Sequence, residues 1–243
     1  HLAHRGVLPP RSRAPQPRRH RLTPDASRPP APGDRLPLAH GLPLAAGALA
    51  LVCALAYWNS VSAGLILDNI PIILQDPRLR TVDWASVRDI LTHGYWWPSG
   101  DSNLYRPLTT LTYWANYAVA SGGESPTGYH LINLLLHWAN AVLAFVLVRD
   151  VTRKPWAALT AAAVFACHPL TVESVTNVVG RADLLAALST LGGLCLYRRF
   201  LRAGVSGRRG LLIAIALAYT AGLFSKESAV VLPALMLLHD WLF

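Results

Sequence analysis

From residue 36 onward the chain is dominated by runs without Asp, Glu, Lys or Arg: 36–67, 107–123, 125–148, 155–172 and 210–225, with shorter runs at 184–197 and 228–239. A helix crossing a hydrocarbon core of about 30 Å needs roughly 17 to 25 such residues. The long runs therefore read as spanning helices, and the shorter ones span only with flanking residues or a tilt. Punctuation sets the boundaries. Residues 38–60 predict a first span and 107–120 a short or re-entrant helix. Residues 129–148 span back and end at Arg149, and 155–167 return to a stop at His168-Pro169, because the residue before proline is pushed out of the helical region. The rest alternate in direction: 184–196 to the Arg198-Arg199 pair, 211–224 to Lys226-Glu227, and 229–243. This pattern predicts six spans, or seven or eight helical pieces with the marginal segments. The fold class is all-α, a multi-pass transmembrane bundle. A soluble helical protein fits poorly, because its buried helices usually keep one polar face.

Residues 65–106 break the pattern and are read as an outer-face loop with turn formers and interfacial aromatics. Within it VDWASVRDIL, 82–91, puts Val82, Val87, Ile90 and Leu91 on one helical face, with Asp83 and Arg88 elsewhere. That suits a short amphipathic helix on the outer membrane surface, with Trp84, Trp96 and Trp97 at headgroup depth. A solvent-exposed loop helix is the alternative.

Composition agrees with a membrane protein: 53% hydrophobic, 14% charged, mean hydropathy +0.33. Residues 1–35 differ, being rich in Pro and Arg with few large apolar side chains. They are expected to be a disordered basic cytoplasmic tail, with 36–243 the transmembrane domain. A signal peptide fits poorly, since the next apolar run is too long for an h-region. The net charge of +9 does not imply nucleic acid, because the basic residues sort by membrane side. The tail, the 149–154 turn and the 198–209 turn hold 16 of the 22 Lys and Arg, and alternate threading puts all three on one side, which the positive-inside rule makes cytoplasmic. Cys53, Cys167 and Cys195 fall in apolar runs without metal-ligand spacing, so neither a disulfide nor zinc is inferred. The chain starts with His and stops inside an apolar run at Phe243, and is taken as a piece of a longer protein.

One stretch, HPLTVESVTNVVGRADLLA (168–186), sets His, Glu, Arg and Asp in apolar surroundings. The threading explains it: Asp68, Arg106, His130, His168, Glu173, Arg181, Asp183, Lys226 and Glu227 all fall at outer helix ends or in the loops joining them. Ionisable groups at membrane depth cost roughly 2.5 to 3.5 kcal/mol on insertion scales, so their convergence points to a polar cavity rather than to interfacial ion pairs alone. Arg181 and Asp183, two apart, do not face each other on a helix and need other partners. His130, Asn133 and His137 share one helix face, read as a hydrogen-bonded packing stripe before a chemical one. In such a cavity Asp68 can act as general base on a hydroxyl while nearby cations neutralise a phosphate leaving group. Spacing alone does not separate this from a transporter's ion site, although no internal repeat of broken helices is visible. A non-catalytic membrane scaffold is the other alternative.

The motifs narrow the choice. Asp68-Asn69-x-x-Ile72, QDPRLR (75–80), YRPLTTLTYWANY (105–117), YHLINLLLH (129–137), HPLTVESVTNVVGRADLLA and FSKESAVVLP (224–233) resemble, in that order, the membrane domain of the transmembrane and tetratricopeptide-repeat O-mannosyltransferases, over about residues 65–243. The resemblance implies a glycosyltransferase of the GT-C superfamily that draws a sugar, by the family's habit mannose, from a polyprenyl or dolichyl phosphate carrier. It would deliver the sugar to Ser or Thr of an acceptor protein on the outer or lumenal face. It also implies tetratricopeptide repeats downstream. The family's acidic pair maps onto Asp68 and Asn69, so only the first position keeps its carboxylate. By position Asp68 is the catalytic base. Arg181, with Lys226, Arg106 and His168, is expected to hold the carrier phosphate, and Glu173, Asp183 and Glu227 to orient those cations. No cofactor or metal is expected, although Asp68, Glu173 and Asp183 would bind a divalent ion if they converged. Abundant Ala, Arg, Leu and Pro suggest a GC-rich bacterial source, hence a cytoplasmic membrane with a periplasmic site; a eukaryotic source would mean the endoplasmic reticulum.

Overall fold

The computed structural model describes residues 38–100, 103–119 and 125–243, with side chains from residue 41. Residues 1–35, the expected tail, lie outside the described residues. The described residues form one compact unit. Its helices are α1 (Leu38–Tyr57), α2 (Trp84–Thr92), α3 (Pro107–Val119), α4 (Pro126–Thr152), α5 (Pro155–Cys167), α6 (Val172–Thr176), α7 (Arg181–Arg202), α8 (Val205–Ser225) and α9 (Leu232–Leu242). Among the described residues there is no strand.

Local chemistry sets several ends. Pro126 and Pro155 occupy first helical positions, where a missing N–H costs nothing and φ is already helical. Arg153, at φ 60°, takes the left-handed conformation that reverses the chain between α4 and α5. Asp83 caps α2 by accepting the Ser86 N–H at 2.8 Å, which holds its carboxyl below the usual range.

Without a hydrophobic force between helices in lipid, close packing depends on small residues. Ala158, Ala162 and Ala166 form a one-sided stripe on α5 at fourfold spacing, and Ala45, Leu49 and Cys53 do so on α1. Both pack with Ala141 and Phe145 of α4. Helices α7 and α8 also approach closely: a Cβ on Gly222 of α8 would lie 2.9 Å from Ser189 Cβ of α7, and 2.7 Å from Ala229 Cβ in the turn after α8. The outward faces stay apolar, with Leu51, Leu55, Leu212 and Leu217 more than half exposed, as lipid-facing surfaces require.

Among the described residues four helices are long and apolar enough to cross a membrane: Gly41–Ser62, Pro126–Thr152, Val178–Arg202 and Val205–Ser225. A fifth crossing arises if Pro155–Cys167 and Pro169–Thr176, bent by 50°, count as one. The sequence pattern predicts six. The difference lies in the last run, where Glu227–Val231 forms a 3-10 turn and leaves α9 only 11 residues, about 16 Å of helix. Helix α7 is longer than its uncharged run, because it takes in Arg181 and Asp183 at one end and Arg198, Arg199 and Arg202 at the other. The ends predicted to be cytoplasmic do meet: Asp150 of α4 accepts from Arg198 and Arg202 of α7 at 2.5 and 2.6 Å, and Arg198 also contacts His239 of α9.

The opposite end is built from short pieces. After α1 a 3-10 turn (Trp58–Ser62) leads to a π turn (Ile70–Leu74), a second 3-10 turn (Pro77–Leu79) and α2. Ile72, Ile73, Leu79, Ile90, Tyr95, Tyr113, Tyr129 and Val178 form a second core beneath them. In α2, Ile90 turns into this core while Val82, just before it, and Trp84 and Leu91 are exposed, so the apolar face is divided between core and surface.

Candidate active site

The broken helix ends on this side enclose a cavity of about 350 Å³ lined by Asp68, Arg106, Glu173, Asp183 and Lys226, with Tyr95, Trp96, Leu170, Asn177 and Gly180 among its other walls. Five elements therefore bring together five of the ionisable residues that the sequence places at the outer face.

Asp68 follows Leu67, whose φ of 53° turns the chain after α1. Its position is fixed by its neighbour: Asn69 is 2% exposed, and its Oδ1 accepts the Val179 N–H at 3.0 Å. At the second position of the expected acidic pair, this chain has an amide tying the Asp68 segment to the turn before α7. That turn is tight, since a Cβ on Gly180 would sit 2.6 Å from the Cα and O of Ser174, and so α6 touches it backbone to backbone.

The two cations are anchored by one break in the chain. Lys226 is extended (φ −160°, ψ 141°) between α8 and the next 3-10 turn, so adjacent side chains leave in different directions. Lys226 Nζ donates to Asp183 Oδ1 of α7 at 2.6 Å. Glu227 Oε1 and Oε2 accept from Arg106 Nη2 at 2.5 Å and Nε at 3.1 Å. The Arg106 hydrogen bonds hold the Glu227 carboxyl below its ordinary range. Arg106 also lies 5.2 Å from the centre of the Tyr95 ring, and burial pushes the Tyr95 hydroxyl up to about 12. Among the described residues neither Asp68 nor Glu173 has an ion-pair partner.

Three of the candidate residues lie elsewhere. Glu227 lies outside the lining, behind Arg106. His168 is exposed and caps a turn, its Nδ1 accepting the Leu170 N–H at 3.2 Å. Arg181 is fully buried. Its guanidinium donates to Asn133 Oδ1 (2.9 Å), Asn116 Oδ1 (3.0 Å), Tyr129 O (3.0 Å) and Thr112 O (3.2 Å), between the rings of Tyr113 and Tyr129. It locks α7 to α3 and α4.

The α4 polar stripe is a support of the same kind. His130, Asn133, His137 and Asn140 are all buried and reach backbone carbonyls of neighbouring segments: Ala63 (3.1 Å) after α1, Ala166 (2.9 Å) at the end of α5, Asn177 (3.1 Å) before α7 and Leu184 (2.9 Å) in the first turns of α7. Such bonds satisfy backbone that lipid cannot. No group of three or more His, Cys, Asp or Glu with metal-binding geometry occurs among the described residues. Sequence reasoning missed Tyr95 and Asn177 as cavity walls and gave Trp96 only an interfacial role. Lone aromatics and amides in a loop carry no periodic signal.

Fold and site together define a multi-pass α-helical membrane protein with a charge-paired cavity at one end of the bundle. Known proteins share its sequence. The chain is 34% identical over 199 residues to Protein O-mannosyl-transferase Tmtc2 of Drosophila melanogaster (77% of this chain, 21% of that protein). It is 34% identical over 211 residues to Protein O-mannosyl-transferase TMTC4 of Homo sapiens (78% and 28%) and 31% over 229 residues to human TMTC1 (86% and 25%). No family model and no solved structure matches. The chain belongs to the transmembrane and tetratricopeptide-repeat O-mannosyltransferase family, and it spans about a fifth of the length of the first two curated relatives it matches.

Proposed function

We propose that this chain is the membrane part of a GT-C glycosyltransferase. It would move a sugar, mannose by its family, from a polyprenyl or dolichyl phosphate carrier to Ser or Thr hydroxyls of an acceptor protein. The observation carrying this reading is that one cavity holds a carboxylate without a cation partner, Asp68, together with two anchored cations, Arg106 and Lys226.

In this reading Asp68 takes the proton of the acceptor hydroxyl as its oxygen attacks the anomeric carbon. The bond from that carbon to the phosphate oxygen breaks, with inversion, and the carrier keeps the phosphate. A positioned general base contributes about 10²–10⁴ in rate. Arg106 and Lys226 meet the charge growing on the leaving phosphate, and Glu227 and Asp183 hold them where it develops, so little reorganisation is needed. Glu173 lines the cavity and, among the described residues, has no cation partner, so it does not orient one as the sequence led us to expect. The phosphate role expected of Arg181 passes to these two cations, because its own donors are committed inside the fold; Arg181 and His168 act by holding the walls. The cavity opens on the outer face, periplasmic in a bacterial membrane and lumenal in the endoplasmic reticulum. No metal takes part in this scheme.

The test is transfer from labelled polyprenyl-phosphate mannose to a Ser/Thr-rich acceptor by the full-length protein in liposomes, beside Lys226→Met and Arg106→Gln. Each variant is expected to lose roughly 10²-fold in kcat/KM. Transfer at the wild-type rate by both would remove the cations from the mechanism.

A further inference from the structure

The QDPRLR segment has no part in the chemistry above, yet two of its charged side chains are buried. Asp76 and Arg78 are 0% and 3% exposed. Arg78 Nε and Nη2 donate to the Asp76 carboxylate at 2.7 to 3.1 Å, Nη1 donates to Gly94 O at 3.1 Å, and Nη2 also to Trp97 O at 3.2 Å. From the other side the Tyr95 N–H donates to Leu104 O at 2.7 Å. Residues 94–97 are thus held on both flanks.

What they hold is aromatic. The rings of Tyr95 and Trp96 meet edge to face at 6.4 Å, and both line the cavity beside Asp68 and Arg106. Trp96 is half-buried, and among the described residues its indole N–H has no acceptor. An indole beside five ionisable side chains suits an occupant that is apolar on one face and hydrogen-bonding round its edge. A pyranose ring has that chemistry: C–H groups for the ring face, and hydroxyls for the free N–H and the carboxylates. A lipid chain would desolvate all five charges and leave Asp68 and Glu173 without a partner.

We propose that Trp96 is the platform against which the donor's sugar ring packs, and that the Asp76–Arg78 pair positions it. This rests on the glycosyl-transfer reading and adds to it the residue that senses the sugar rather than the carrier.

The experiment measures binding of two lipids, polyprenyl-phosphate mannose and sugar-free polyprenyl phosphate, to the full-length protein in liposomes, with transfer assayed on the same preparations. Trp96→Ala is expected to weaken the sugar-bearing lipid about tenfold, the scale of one ring stacked on an aromatic, and to leave the sugar-free lipid within about twofold. Trp96→Phe is expected to keep most of the preference. Arg78→Ala, if it still binds sugar-free lipid normally, should lose the preference as Trp96→Ala does. Equal weakening of both lipids, as a carrier contact or a collapsed loop would give, overturns the proposal, and so does an unchanged preference in Trp96→Ala. If the wild type transfers sugar while the preference is unchanged, only this inference falls; a wild type that binds neither lipid and transfers nothing overturns the parent reading as well.

Discussion

Replacing Arg181 by Met separates a residue that builds the cavity from one that touches its ligand. The side chain gives hydrogen bonds to Asn133, Asn116, Tyr129 and Thr112 and is fully buried. Interhelical hydrogen bonds at membrane depth average about 0.6 kcal/mol, so four of them contribute about 2.4 kcal/mol. Acceptors left buried without a donor cost about 1–3 kcal/mol each, while relief of the cation's own desolvation offsets part of this. A net loss of about 3 kcal/mol follows, which at about 2–4 °C per kcal/mol lowers the unfolding midpoint by about 6–12 °C. Arg181→Lys keeps the charge and some of the donors, and is expected to fall about halfway. The assay is thermal unfolding in detergent, paired with donor-lipid binding at a temperature where each variant is folded. The structure predicts lost stability with near-normal binding in the folded fraction. A variant as stable as the wild type that no longer binds the phosphate lipid would refute this, and would mean that Arg181 leaves its cage to meet the ligand.

Three further outcomes follow from the same geometry. Gly180→Ala drives a Cβ into the Ser174 backbone, which cannot rotate away, so a loss of about 1–3 kcal/mol and a displaced Glu173 wall are expected in unfolding and donor-binding assays. Glu227 has a folded pKa below its ordinary value of 4.5, so its pairing with Arg106 adds stability that is fully present above that value and lost as pH falls through the depressed one; the carboxylate is largely exposed, so the effect is small, and Glu227→Gln should flatten this limb of the midpoint-versus-pH curve. Asn69→Ala removes the acceptor of the Val179 N–H and should destabilise the cavity by about 1–3 kcal/mol, whereas Asn69→Asp keeps an acceptor there and should transfer sugar at least as fast as the wild type.

The sequence made the bundle legible wherever a boundary had a covalent cause. Pro107, Pro155 and His168-Pro169 mark ends that recur in the structure within a few residues. Runs lacking charge located the spans but misjudged their lengths, since Arg181 and Asp183 lie inside α7 rather than before it. Alternate threading brought Asp68, Arg106, Glu173, Asp183 and Lys226 to one side, and one cavity gathers them. Direction was not legible. Arg181 and Asp183 stand two positions apart in the first turn of α7, and only packing turns one into a cage of amides and tyrosines and the other towards Lys226. The π turn, the Gly180 contact and the Arg78 clamp depend on partners up to about twenty residues away that no local period announces.

The central claim is that Asp68 is the base of a sugar transfer. Its most direct test is the rate of transfer from labelled polyprenyl-phosphate mannose to a Ser/Thr-rich acceptor by full-length protein in liposomes, wild type beside Asp68→Asn. Transfer by the wild type that falls by about 10²–10⁴ in the variant, with donor binding intact, is the result expected. Equal rates in the two proteins would contradict it.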